Sequence, residues 1–115
     1  MSEYLVLIYE NEAAWEGADA ETMGEMMKGH QVFGERNAKA LRGGNALEST
    51  TTATSLRRDP SGGLLVSDGP FAETKEALGG YYVIEAADLD EAIAMAGQIP
   101  ALFGGVEIRP IRVFD

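Results

Sequence analysis

His30 is the only histidine in the chain, and so the only side chain whose ordinary pKa lies near neutrality. An acid or base working at neutral pH is therefore expected there first. At helical spacing His30 shares a line with Met23, Met27, Gly34, Asn37 and Leu41, a stripe that points inward. Gly34 leaves room beside the ring, and Asn37 offers an amide that would orient a ligand. Two readings stand side by side. One is a general acid or base in a cavity between helix and sheet; the other is a buried histidine bonded to backbone, with Gly34 allowing close packing. A second set is the string DGPFAETKE, Asp68 to Glu76, with four charged side chains in nine residues. Asp68 beside His30 would make an acid/base pair, with Phe71, Glu73 and Lys75 over the substrate. The plainer alternatives are an Asx-turn at Asp68, a packing anchor at Phe71 and a solvated face at Glu73, Lys75 and Glu76. Tyr81 and Tyr82 alternate, so one faces the helices and the other faces whatever covers the sheet; Tyr82 is a candidate substrate contact.

Other chemistries lack their residues. There is no cysteine, hence no disulfide, thiolate site or cysteine nucleophile. One histidine without acids at ligand spacing predicts no metal, and no cofactor is expected. The glycine pairs at 43–44, 62–63, 79–80 and 104–105 lack the spacing of a phosphate loop and read as turns. Ser49 and Thr50 to Thr52 have no sequence-adjacent base. Gly80-Tyr81-Tyr82-Val83 lacks the leading basic residue of an RNA-binding strand.

The elements that must hold these residues follow from patterning. Tyr4 to Tyr9 is apolar at every position, as in a strand covered on both faces. Asp19 caps a helix expected over residues 20–41, stopped by Gly43-Gly44. Residues 46–58 are Thr-rich and extended, either one broken strand or a strand with an irregular edge. Asp59-Pro60-Ser61-Gly62-Gly63 is a turn into a short strand, Leu64 to Val66, and Tyr81 to Ala86 is the next strand. Asp88 caps a second helix with Leu89, Ala92, Ile93, Ala96 and Ile99 on one face. The last strand is Val106 to Phe114. This order predicts an α+β fold, a ferredoxin-like split βαβ subunit with one additional strand or hairpin. Helices on one side of such a sheet leave its other apolar face bare, so a homodimer packed sheet to sheet is expected.

At 115 residues with 45% hydrophobic and 24% charged residues, the chain is expected to form one domain spanning 1–115. A net charge of −10 argues against nucleic acid and anionic membrane as partners. The charge is uneven: residues 1–30 hold seven acids against Lys28, and residues 35–58 hold five bases against two acids. The start lacks the basic segment of a signal peptide, and no apolar run is long enough to cross a bilayer, so a cytoplasmic location is expected.

DGPFAETKE, with Leu78-Gly79-Gly80-Tyr81-Tyr82, Asp88-Leu89-Asp90-Glu91-Ala92, the opening YLVLIYENEAAW and the closing Val106-Glu107-Ile108-Arg109-Pro110, resembles the DGPF-type branch of the YCII-related family. The resemblance covers nearly the whole chain. It implies a dimeric α+β barrel in a bacterial cytoplasmic protein and leaves open whether the chain is an enzyme. It also implies His30 and Asp68 as counterparts of the helix histidine and aspartate of a proposed active site. The expectation is an unidentified small molecule bound between first helix and sheet under the loop. The rival is a non-enzymatic interaction module, since members are often encoded near extracytoplasmic-function sigma factors; a sigma factor would then be the partner.

Overall fold

Strand β1, Ser2–Glu10, alternates: Tyr4, Val6 and Ile8 are buried, while Leu5, Leu7 and Tyr9 on the opposite face are only partly covered. One side of this strand therefore meets a core, and in the computed structural model, which describes residues 1–115, that side carries the helices. Asn11 accepts from the Ala14 N–H and starts a short helix, α1, Glu12–Glu16. Asp19 accepts from the Thr22 N–H at 2.8 Å and starts α2, Ala20–Arg36, the N-cap chemistry expected of an aspartate there. Strand β2 is Leu41–Ala46; after a 3-10 turn at Thr50–Thr52 come β3, Thr54–Arg58, and β4, Leu64–Asp68. Strand β5 is Ala77–Ala86, α3 is Leu89–Ala96 and β6 is Gly104–Pro110.

Four strands make one sheet in the order β2-β5-β1-β6, and every neighbouring pair is antiparallel. Strands joined through a helix, β1 to β2 and β5 to β6, are thus parallel with one strand between them, which is what a helical crossover permits. The fold is α+β. Phe33 from α2 and Ala92, Met95 and Ala96 from α3 pack with Tyr4, Val6, Ile8, Ile84 and Ala86 in one core. The open face carries Leu5, Leu7 and Tyr9 of β1, with Tyr81 and Val83 paired beside them on β5. Strands β3 and β4 form a separate two-stranded arm. No helix is long and apolar enough to cross a membrane.

Several boundaries differ from the pattern expected. Helix α2 ends at Arg36, not near residue 41, because Asn37 caps it: the Ala40 and Leu41 N–H groups both donate to the Asn37 carbonyl. Leu41 is needed in the sheet, opposite Ile84, and Gly43-Gly44 lie within β2 rather than stopping a helix. The inward face of α2 is centred on Met26 and Phe33, leaving Met27 68% exposed. On α3 Met95 is buried while Leu89 and Ile93 are exposed. The last strand ends at Pro110, not at Phe114.

Candidate functional site

Tyr82 pairs with Val6 of β1 and Gly44 of β2, on the helix side of the sheet. Its ring packs against Phe33 with centroids 4.8 Å apart. One helical turn before Phe33, His30 leans over the same tyrosine, and His30 Nδ1 lies 2.7 Å from Tyr82 Oη. Only a residue without a side chain suits the strand alongside: a Cβ on Gly44 would stand 2.7 Å from both the Tyr81 carbonyl oxygen and Tyr82 Cδ1. The glycine thus lets β2 close on the tyrosine that holds the histidine.

This pair opens on a cleft of about 690 Å³. Its wall takes Ile8 and Glu10 from β1, Trp15 and Glu16 from α1, Met27 beside His30, residues 44–49 from the end of β2 and the loop after it, and Gly79, Gly80 and Tyr81 from β5. Glu10, Glu12, Glu16 and Glu48 reach it, and no Lys or Arg does. Trp15, Tyr81, Tyr82, Ile8, Met27 and Leu47 supply apolar surface, with Asn45 and Ser49 among them as neutral polar groups, a mixture usual in a small-molecule site. Glu12 is committed to structure, accepting from the Thr50 N–H at 2.8 Å and from Thr50 Oγ1 at 2.6 Å. Those bonds hold its carboxyl below the usual carboxylate range, because they favour the charged form. Burial does the reverse to Glu10, pushing its carboxyl up against a weak bond from the Phe103 N–H.

Burial also sets the charge state of the central pair. The His30 imidazole is held below its ordinary value and the Tyr82 phenol above its own, both by desolvation. Both are therefore neutral at pH 7. With the hydroxyl donating to Nδ1, Nε2 carries a proton to give; with Nδ1 donating to the hydroxyl, Nε2 presents a lone pair. Either way Nε2 makes no hydrogen bond within the chain, so it is the nitrogen left for a ligand.

Of the residues singled out by sequence, the cleft unites His30 and Tyr82 and leaves out Asn37, Asp68, Phe71, Glu73 and Lys75. Asn37 Nδ2 donates to the Phe33 carbonyl at 2.9 Å and to Gln98 Oε1 at 3.0 Å. Asp68 ends β4, opposite Thr54. Phe71 is 65% exposed, with the Arg57 guanidinium 4.2 Å from its ring centroid. Glu73 and Lys75 are exposed. The loop instead closes a smaller cavity of about 410 Å³ through Pro70, Ala72, Thr74 and Glu76, sharing Leu47, Glu48, Ser49 and Ala77 with the larger cleft. Glu10, Trp15 and Glu16 escaped sequence reasoning, because nothing local marks the end of β1 and a five-residue helix as one wall.

Comparison with known proteins gives a match to the YCII-related domain over residues 2–115. An uncharacterized protein of Rhizobium meliloti (strain 1021) is 35% identical over 117 residues, covering 96% of this chain and 93% of the relative.

Proposed function

This chain belongs to the YCII-related domain family, and we propose that it binds a small organic molecule in the cleft over His30 and Tyr82, as a homodimer of ferredoxin-like subunits. The observation that carries this reading is the 2.7 Å His30–Tyr82 contact at the base of a 690 Å³ cleft. A neutral imidazole whose second nitrogen makes no bond within the chain is placed to take a proton from a ligand or, in the other tautomer, to donate a hydrogen bond to it. Since carboxylates line the cleft and cations do not, a neutral or cationic ligand is favoured over an anion. Asp68 has no part in the site of a single chain. The finer family features belong to the same reading: Asp68-Gly69-Pro70-Phe71 supports the DGPF-type branch. The order β2-β5-β1-β6, with its two helical crossovers, supports the ferredoxin-like subunit. The uncovered apolar face supports pairing into an α+β barrel.

The test is a thermal-shift panel of small amines, neutral aromatics and carboxylic acids, with calorimetric titration of each compound that stabilises the protein. Amines or neutral compounds should bind, and His30→Ala or Tyr82→Phe should weaken them by about tenfold or more, as expected for a lost polar contact at a desolvated site. A compound that binds wild type and His30→Ala equally sinks the reading. The exposure of Phe71 favours a second one, a regulatory module docking on a sigma factor through the 68–76 loop. Retention of the factor by the wild type but not by Phe71→Ala in a pull-down supports it.

A further inference from the structure

The helix side of the sheet continues past the histidine. On β1 the alternation that buries Tyr4, Val6 and Ile8 brings Glu10 to the same face, and on β5 it brings Gly80 there beside Tyr82. Tyr82 pairs with Val6, and Gly80 with Ile8. Gly80 has no side chain to raise the floor at that step. Glu10 is four residues beyond Val6, roughly 13 Å along a strand that rises about 3.3 Å per residue. The cleft is thus a trough with a neutral imidazole toward one end and a carboxyl toward the other.

Glu10, Glu12, Glu16 and Glu48 all reach this trough, and their surroundings separate them. Glu12 has both oxygens bonded to Thr50, and Glu16 and Glu48 are exposed to water. Glu10 alone is both partly buried and uncommitted. Its Oε2 accepts one long bond, 3.4 Å, from the Phe103 N–H, and its Oε1 accepts none within the chain. The one ion pair of the chain is Arg42–Glu85, so no side-chain cation answers Glu10. A carboxylate drawn out of water without a partner carries a desolvation cost that an incoming cation offsets. The raised proton affinity of Glu10 expresses that same cost.

We propose that Glu10 anchors a cation, and that the ligand of the cleft is an elongated amine: its ammonium group lies against the Glu10 carboxylate, its apolar middle over Ile8 and Gly80, and a hydroxyl or carbonyl at its other end on His30 Nε2. The proposal rests on the cleft reading above and narrows it to molecules with two polar ends on the order of 10 Å apart. A hydroxyl donates to Nε2 in one tautomer of the imidazole, and a carbonyl accepts from Nε2 in the other.

Calorimetric titration of straight-chain aminooctanol, with its amine and hydroxyl at opposite ends, tests this against octanol, octylamine and the shorter aminopropanol. Aminooctanol should bind wild type more tightly than each of the other three. Glu10→Gln keeps an oxygen to accept from Phe103 and removes the charge; it should weaken aminooctanol and octylamine by about tenfold or more, as for a lost hydrogen bond to a charged group, and should not weaken octanol. Equal weakening of octanol would mean that Glu10 only shapes the cleft, and overturns the anchor. Glu16→Gln removes the same charge at an exposed position. Equal losses from the two variants would mean that the cleft attracts amines by its total charge, and overturn the anchor as well. Aminooctanol binding that falls in His30→Ala but not in Glu10→Gln overturns the proposal and leaves the His30–Tyr82 site standing. A protein that binds none of the four overturns the elongated-amine class, and the His30 reading is then judged by its own panel of compounds.

Discussion

Charging His30 places a cation on a ring that α2 and Tyr82 have half withdrawn from water, and this burial is what lowers its proton affinity. The sign follows from linkage. In the folded chain the pKa lies below 6.5, and between that value and 6.5 the unfolded chain binds more protons, so stability rises with pH in that window. The contribution is complete above about 6.5 and is lost as pH falls through the folded value. Urea unfolding between pH 5 and 7.5 should therefore show wild type losing more stability on acidification than His30→Gln. Parallel curves would mean that the imidazole is not buried neutral. The histidine was legible from sequence because it is the only one, whereas its partner was not. Tyr82 is 52 positions away, and no local pattern shows which tyrosine of an adjacent pair a helix will meet. Spacing along a helix carried to Leu41 makes Asn37 a candidate ligand contact; with α2 ending at Arg36 its side-chain amide donates to the Phe33 carbonyl and to Gln98 Oε1.

At the scale of elements, caps and turns were the most readable features. Asp19 and Asp88 both accept the predicted backbone N–H groups, from Thr22 and Glu91, since N-capping is a local bond that sequence specifies directly. Helix faces were read one step off. Helical spacing alone centres the inward stripe on Met23 and Met27, whereas the core takes Met26 and Phe33, because the larger aromatic decides which side packs on the sheet. The arm's parts were legible, since the Asp59 to Gly63 turn joins an extended segment to the short strand from Leu64 as expected; its standing apart from the sheet was not, because pairing between distant strands leaves no local pattern. One close approach fixes the sheet's far edge. A Cβ on Gly104 would fall 1.9 Å from the Tyr9 carbonyl oxygen, a backbone atom that cannot turn aside. Gly104→Ala should destabilise the fold by about 1–3 kcal/mol or more, as overpacking does, read as a lower urea midpoint at unchanged slope. An unchanged midpoint would show that β6 pairs with β1 less closely near Glu10.

Over the whole molecule, charge and shape give different messages. Net charge was available from composition and agrees with a cleft lined by carboxylates; the plate-like outline, 49 × 47 × 17 Å, was not, since only the three-dimensional fold reveals it. The two halves of the chain, each a strand, a helix and a parallel strand, are joined through the sheet. Helix end is also fastened to helix end, where Asn37 Nδ2 at the end of α2 reaches Gln98 Oε1 just beyond α3, 61 positions on. Gln98 in turn donates from Nε2 to the Ala94 carbonyl. Fraying at either helix end must therefore release the other. In hydrogen–deuterium exchange, Asn37→Ala should speed labelling of the 33–41 amides and, at the same time, of the 94–99 amides. Acceleration confined to the first segment would show that the two ends open independently.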